Sequence, residues 1–223
     1  MIMSVIIGGL FYINKTTTGN TLTVTGSAKM SVSADNVIWR SSLTRNVTAE
    51  NLKTGYTEIA SDLKLVESFM SQSGIDAKEI TITPVTVTQD WSQNGGAPKS
   101  YTLRQAIEVH SVQVEKITTI SKNIQKVVDQ GAFFQTDSVE YYYSQLADAR
   151  VSLLTDAISD AKARAQAMAK SGGQRVGNLK SATSGVVQVL SQGAIDNGEY
   201  GQYDTSKIDK DISVTVRATF SIK

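Results

Sequence analysis

The chain contains one histidine, His110, and Glu108 precedes it by two residues in a stretch that alternates polar and apolar side chains. A period of two places both side chains on one face of a strand, where a carboxylate could orient an imidazole for acid–base chemistry. Catalysis of that kind also needs a nucleophile, and the Gly-x-Ser-x-Gly motif that presents a serine in many hydrolases is absent from the sequence. We therefore interpret Glu108 and His110 as a solvent-facing pair with neither a catalytic nor a metal-binding role.

A second group of polar residues lies in segment 193–206, which is rich in Gly, Asn, Asp and Tyr. Its carboxylates come from Asp196–Glu199 and from Asp204. A calcium loop needs oxygen ligands at alternate positions and a distal bidentate Glu, and this spacing does not match. We adopt the interpretation of an ordinary loop. Two alternatives stay open, a metal site and a contact between subunits through Tyr200 and Tyr203.

Aromatic residues offer two further candidate surfaces. The run Tyr141–Tyr143 places two rings on one face of a strand and one ring on the other. Such rings are common at protein interfaces, but an ordinary amphipathic strand is the interpretation we adopt. We expect Trp39 in the core. Trp91 precedes a glycine-rich turn, where we expect exposure or a contact with a second copy of the chain.

Composition excludes several classes of function. The chain has 223 residues, of which 40% are hydrophobic, with 22 basic and 21 acidic side chains. This balance argues against a nucleic-acid partner, because such proteins gather an excess of basic residues on one face. Cysteine is absent, which excludes disulfides, thiolate metal sites and thiol catalysis. Glycine-rich phosphate loops are also missing. We assign no catalytic, cofactor or metal-binding residue.

The elements that must position these groups follow from hydrophobic periodicity. Strands are predicted over 21–33, 37–47, 79–91, 101–114, 139–143, 176–190 and 211–223. Helices are predicted from the Thr48 cap to Gly74, from Val114 to Asp129 and from Gln145 to Ser171. This order predicts an α+β fold with one mixed, mainly antiparallel sheet of about seven strands and three helices on one face. Residues 79–114 would form a projecting β-hairpin, with Pro84 at an edge or a bulge.

The last helix has an unusual apolar face. Ala157, Ala161, Ala165 and Ala169 recur every four residues. Small side chains at this spacing lie on one face of a helix, so we predict that the helix packs closely against a sheet or a neighbouring helix.

Three segments carry a resemblance to a known family. They are the opening strand and its turn (21–28, 32–35 and 37–39), the alanine-rich helix with the glycines and strand after it (157–165, 172–173, 176–177 and 179), and the closing strand (212–220). Together they place residues 21–223 in a domain that resembles the SIMPL-domain family of bacterial and archaeal proteins, which includes periplasmic immunogenic and stress-related members. The resemblance implies an extracytoplasmic protein that assembles into large ring-like or cage-like homo-oligomers, and it implies no catalytic residues.

The N-terminus is the most apolar part of the chain. Residues 1–13 carry no charge, and residues 14–20 form a polar spacer. A helix of this length reaches about 20 Å, whereas the hydrocarbon of a bilayer is about 30 Å thick. A basic start and a small-x-small cleavage site, typical of signal peptides, are both lacking. We interpret 1–13 as the end of an uncleaved anchor whose first half would precede Met1. A signal-peptide fragment, a soluble terminal strand and a helix buried in an oligomer are the alternatives.

These observations predict a non-enzymatic envelope protein. It would be periplasmic, anchored to the inner membrane by its N-terminus and self-assembled into a ring-like or cage-like homo-oligomer, with a link to envelope or oxidative stress. Its partners would be copies of itself and the membrane, with no nucleic acid and no cofactor. One alternative is an envelope binding module that captures a peptide or glycan in a sheet groove. The other is a hydrolase whose pocket contains His110 and Glu108.

Overall fold

The computed structural model describes residues 20–90, 100–194 and 201–223. The chain divides into two compact units, and it passes from one to the other several times. The unit that we call terminal comprises 20–32, 145–194, 201–204 and 210–223, and the unit that we call central comprises 33–90, 100–144 and 205–209. The predicted anchor (1–13) and all but the last residue of the predicted spacer (14–20) lie outside the described residues.

Nine strands and four α-helices occur within the described ranges. The strands are β1 (Thr21–Ser33), β2 (Asn36–Val47), β3 (Ile80–Ile82), β4 (Thr86–Asp90), β5 (Ser100–Ser111), β6 (Phe134–Tyr142), β7 (Val176–Ser184), β8 (Gln188–Ser191) and β9 (Asp209–Ile222). The helices are α1 (Leu52–Gln72), α2 (Val114–Lys122), α3 (Gln125–Val128) and α4 (Leu146–Ser171). None of these helices is both long enough and apolar enough to cross a bilayer.

The α+β class and the mainly antiparallel pairing are confirmed, but the described strands form two sheets where we predicted one. The alternation of side chains determines which face of a strand is buried. It does not determine which strand becomes the neighbour. Periodicity alone therefore could not show that the strands divide between two sheets, because many of the paired strands are far apart in sequence.

Several predicted elements have different limits in the structure. The strand predicted over 79–91 divides around Pro84 into β3 and β4, which both lie at the edge of their sheet, as we predicted for a proline. The strand predicted over 176–190 divides into β7 and β8, and the second helix divides into α2 and α3. β6 begins at Phe134, whereas we predicted a strand from Val139.

The central unit contains a sheet of strand order β3-β5-β2-β6, with β4 adding to β5 beside β3. One face of this sheet is apolar and packs against α1. The buried residues at this contact are Trp39, Leu43, Ile59, Val66, Met70, Leu103 and Ile107. α1 ends where predicted, because Gly74 adopts a positive φ of 75° that side chains disfavour.

The terminal unit contains the order β1-β9-β7, with β8 also pairing with β9. Contacts of Thr23 with Thr219 and of Ser31 with Asp211 place β1 antiparallel to β9. The strand predicted over 21–33 is confirmed as β1, and its side chains alternate as hydrophobic periodicity requires: Val24 is buried, whereas Thr23 and Thr25 are exposed. β9 likewise buries alternate residues, among them Ile212, Val214, Val216, Ala218 and Phe220.

The alanine face of α4 lies against this sheet. Ala157, Ala161 and Ala165 have no exposed surface. Opposite them is Gly26, where a Cβ would lie 2.2 Å from the carbonyl oxygen of Ala157 and 2.4 Å from the amide nitrogen of Ala161. The backbones of β1 and α4 thus approach so closely that only glycine fits. The predicted close packing against a sheet is confirmed.

We predict that Gly26→Ala lowers the free energy of unfolding by at least about 2 kcal/mol, because the added methyl collides with helix backbone that cannot rotate away. Urea unfolding followed by circular dichroism measures the loss. Gly172→Ala is the matched control: a Cβ there would meet one atom at an ordinary 3.6 Å, so its effect stays within about 0.5 kcal/mol. Equal stability of the two variants would contradict the close approach.

Candidate functional site

Glu108 and His110 lie on the same face of β5, as predicted, and their side chains are in contact. His110 Nε2 lies 3.1 Å from Glu108 Oε2. The other carboxylate oxygen of Glu108 accepts a hydrogen bond of 3.1 Å from Nε of Arg40, on the adjacent strand β2. Arg40 also forms an ion pair with Glu140 on β6. The pair that could have been catalytic is therefore part of an ion-pair ladder across three strands.

Hydrogen bonds tune the acidity of this ladder. The contact with His110, followed by that with Arg40, holds the pKa of Glu108 below its usual value. The Arg40 guanidinium and the Tyr142 hydroxyl, which donates to Glu140 at 2.7 Å, hold the pKa of Glu140 low as well. Both carboxylates thus prefer the charged form and are engaged with a cation, which suits an ion pair better than a general acid.

A cavity of about 310 Å³ borders His110. Its lining includes Glu79, Ser111 and Tyr142, but Glu108 is not part of the lining. Ser111 donates to Glu79 at 2.6 Å, so this hydroxyl is engaged with a carboxylate rather than with the imidazole. The hydrolase alternative required Glu108 and His110 in one pocket, and Glu108 does not line this cavity.

The aromatic residues divide between core and surface. Trp39 is fully buried, as predicted, and its Nε1 donates to Thr136 Oγ1 at 3.1 Å. Tyr141 is also buried, and its hydroxyl contacts Thr118 Oγ1 at 2.9 Å. Tyr142 and Tyr143 are half-buried. This arrangement matches an ordinary amphipathic strand. Trp91 lies outside the described residues.

The base of the 193–206 segment contains a buried lysine that the sequence analysis missed. Lys210 has no exposed surface, donates to the Asp204 carbonyl oxygen at 2.5 Å and lies 5.6 Å from the centroid of the Tyr203 ring. The Asp204 carboxylate accepts hydrogen bonds from the amide and the hydroxyl of Ser191. Asp196–Tyr200 lie outside the described residues. Asp204 and Tyr203 contribute here to intrachain structure.

Burial lowers the pKa of Lys210, and the charge of Asp204 partly opposes this effect. A sequence signal for this residue did exist. Lys210 shares the parity of Ile212 and Val214, so the alternation of β9 extends its buried face to a charged residue. In the parts of the chain that the structure describes, no three His, Asp or Glu side chains cluster closely enough to hold a metal ion.

The predicted hairpin of residues 79–114 presents the most exposed strand of the central sheet. All five residues of β4 are exposed, including the apolar Val87. β4 pairs with β5 in a regular antiparallel register, with Thr88 opposite Thr102. Its turn, residues 91–99, lies outside the described residues. Within the described ranges β4 has one neighbouring strand, so its other edge is open.

Backbone geometry shows which β4 amides face the open edge. The Ala106 carbonyl accepts from the Thr83 amide at 3.0 Å, so even-numbered residues of β5 direct their backbone groups towards β3 and β4. In this register Thr86, Thr88 and Asp90 pair with β5. The amides of Val87 and Gln89 therefore point outwards.

Other sheet edges carry protective features. β7 contains Lys180, and its pairing with β9 is interrupted on both sides of Leu179. Lysines and bulges on an edge strand discourage pairing with another chain. At the β6 edge, the Tyr141 amide donates to the Thr205 carbonyl at 2.9 Å. β4 has neither a basic residue nor a bulge, which makes it the least protected of these edges.

Comparison with known proteins identifies a family but no function. A family model described as SIMPL, protein of unknown function (DUF541), matches residues 22–220. No curated protein matches the sequence.

Solved structures are only weakly similar. AtUAH in complex with (S)-hydroxyglycine has 13% identity and a TM-score of 0.28, covering 59% of this chain and 31% of its own. A hydantoinase/carbamoylase family amidase from Burkholderia ambifaria has 13% identity and a TM-score of 0.23, and the match covers 50% of this chain and 29% of the amidase. A hydrolase from Listeria innocua has 8% identity and a TM-score of 0.24, and the match covers 84% of this chain and 91% of the hydrolase. The matched region spans about a third of the first two proteins, and scores this low support no conclusion about the present chain.

We predict that Glu140→Gln costs about 1 kcal/mol of unfolding free energy at neutral pH, because Arg40 loses a charged acceptor. The pKa of Glu140 is lowered by folding from its ordinary value of 4.5, so its stabilisation is present above that value and is lost as the pH falls through the folded-state pKa. The difference between wild type and variant should therefore vanish in acid. Chemical denaturation at several pH values measures it, with the exposed Glu67→Gln as control. A difference that is independent of pH would contradict the ladder.

We also predict that Lys210 reacts with acetic anhydride at least about tenfold more slowly than the exposed Lys180, because the buried amine reacts only after local opening. Mass spectrometry of the labelled peptides compares the two rates in the native protein. The difference should disappear in denaturant. Similar native rates would show that Lys210 is accessible.

Proposed function

The chain belongs to the SIMPL family, and from this premise we propose that it is a non-enzymatic protein of the cell envelope that assembles with copies of itself into a ring-like or cage-like homo-oligomer. The apolar residues 1–13 tether it to the inner membrane and leave residues 21–223 on the periplasmic side. The assembly is structural, so no cofactor takes part.

The observation that carries this proposal is the open edge of β4. Its outward amides, at Val87 and Gln89, are unpaired in the part of the sheet that the structure describes. Strand edges of this kind pair readily with a strand from another chain, because each new backbone hydrogen bond satisfies a donor and an acceptor at once. The exposed Val87 adds apolar surface to the same edge.

The non-enzymatic part is supported by the state of the titratable groups. Glu108 and Glu140 both form ion pairs with Arg40, and the hydroxyl of Ser111 donates a hydrogen bond to Glu79. The membrane tether is supported by the sequence of residues 1–13, which contain no charged side chain. A polar spacer then separates this segment from β1.

Light scattering tests the assembly. We predict that the 21–223 fragment and the detergent-purified full chain both have masses far above one chain at micromolar concentration. Negative-stain images of the full chain should then contain closed, symmetric particles. A monomer in both preparations would overturn the proposal.

Gln89→Pro tests the role of β4. Proline removes an amide that points outwards, so the pairing of β4 with β5 is kept while addition of a further strand is blocked. We expect the mass to fall at least twofold with an unchanged circular dichroism spectrum. Gln89→Ala is the matched control, because it removes the same side chain but keeps the amide. Assembly that survives in Gln89→Pro would exclude this edge as the contact.

A further inference from the structure

A cleft of about 630 Å³ lies in the central unit, where the end of β2 meets α1 and the segment before β6. Its walls are apolar at Val128 and Phe133 and polar at Arg45 and Glu58. The proposed assembly makes no use of this cleft.

Arg45 gives the cleft a rigid polar wall. Its Nε and Nη2 donate to the two carboxylate oxygens of Asp62, each at 2.8 Å, and Nη2 also donates to the Gly131 carbonyl at 3.3 Å. Asp62 is buried, so this bidentate pair is held in place by the core. The Phe133 ring stacks on the guanidinium, with 4.3 Å between Arg45 Cζ and the ring centroid.

Phe133 is nevertheless 63% exposed. One face of its ring is covered by Arg45, and a large part of the remaining surface is open to solvent. An aromatic ring fixed from behind and exposed in front is a favourable platform for an apolar side chain, because burying it costs little further side-chain entropy.

The edge of β2 contributes unpaired backbone groups. Pairing with β6 ends at Leu43 opposite Phe134, and the last hydrogen bond runs from the Thr44 amide to the Phe133 carbonyl at 3.2 Å. The backbone amides and carbonyls of even-numbered residues of β2 therefore point towards the β6 side. The next such residue, Asn46, lines the cleft, and its backbone amide and carbonyl have no backbone partner in the ranges that the structure describes.

Charge narrows the choice of occupant. The charged residues that line the cleft are Arg45 and Glu58. The buried Asp62 already balances the charge of Arg45, which leaves the carboxylate of Glu58 as the uncompensated charge of the lining. Glu58 is 44% exposed in its side chain and lies 3.9 Å from Arg45 Nη1, a distance too long for a hydrogen bond. A cationic group is attracted to it, and an anionic group is repelled.

We propose that this cleft binds an extended peptide segment by strand addition. The peptide backbone pairs with the amide and carbonyl of Asn46 on the side of β2 that β6 leaves open. An apolar side chain packs on Phe133, and a Lys or Arg two residues away along the same face reaches Glu58. The combination of free strand edge, aromatic platform and acidic rim favours a basic–apolar peptide over a small anion or a neutral glycan.

Fluorescence anisotropy tests the proposal with the full-length protein in detergent and a labelled peptide of sequence Lys-Val-Leu-Val-Lys, blocked at both ends. We expect saturable binding with a dissociation constant below about 1 mM. The same peptide with Glu in place of Lys should bind at least about tenfold more weakly, because it meets the charge of Glu58. The affinity of a Lys peptide that is N-methylated on alternate amides should fall by a similar factor, because its backbone cannot pair with the strand edge.

Variants locate the binding. Phe133→Ala should weaken binding about tenfold, and Glu58→Gln should weaken it several-fold for the basic peptide alone. Glu67→Gln, on the same helix, is the matched control and should bind normally. If Phe133→Ala fails to fold, the N-methylated and acidic peptides still decide the question.

Three results would overturn the proposal: no saturable binding, equal binding of the N-methylated peptide, or full affinity in folded Phe133→Ala. Failure here is distinguishable from failure of the proposed assembly. Gln89→Pro changes the opposite edge of the central sheet, with β5 and β2 between β4 and the cleft, and should retain peptide binding whether or not it assembles.

Discussion

Backbone hydrogen bonding in the central sheet is the constraint on which the rest of this unit depends. β5 and β2 pair over all but one residue of each strand, from Val37 opposite Ser111 to Val47 opposite Tyr101. On its other side, β5 pairs with the short strand β3 and β2 pairs with β6. Neither β3 nor β6 covers the whole length of the strand that it pairs with. β4 fills the uncovered portion of β5 and brings an open edge of its own, whereas on the β6 side of β2 no strand in the described ranges lies beside Asn46. Both proposed interaction surfaces arise from this mismatch in strand length, because an unpaired backbone group retains its capacity to bond.

The terminal unit depends on a different constraint, the distance between a helix and a strand. α4 presents alanines and β1 presents Gly26, so the two backbones come within contact distance of each other. Asp160 then accepts from the Ser27 amide at 2.8 Å while pairing with Arg164 at 2.9 Å. Small residues contribute little apolar area each, and the stability of such a contact comes from dense packing over a long interface. The resemblance to the SIMPL family was carried in part by this helix, and its most specific feature is thus a packing requirement.

Three cations in the described ranges hold structural elements together. Arg40 joins two carboxylates across the central sheet, Arg45 is held by Asp62, and Lys210 ends the buried face of β9. A cation that is partly desolvated needs acceptors close by, and each of these has them. The hydrogen bonds with Arg40 and their other partners lower the pKa of Glu108 and of Glu140, whereas burial lowers the pKa of Lys210. The groups that the two proposals use for recognition are backbone amides, exposed apolar side chains and the carboxylate of Glu58.

The sequence by itself determined the α+β class, the positions of the long strands and the alanine face of α4, because hydrophobic periods of two and of about four residues are local properties of the chain. It also placed Glu108 beside His110 and Trp39 in the core. The tertiary structure alone decided that the strands form two sheets, that Arg40 pairs with Glu108, and that Arg45, Phe133 and Asn46 share a cleft. These relations join residues that are far apart in sequence. A strand with a given alternation of buried and exposed side chains could pair with many different neighbouring strands. Which strand lies beside which is decided by packing and by the pairing of backbone groups, and no local pattern records it.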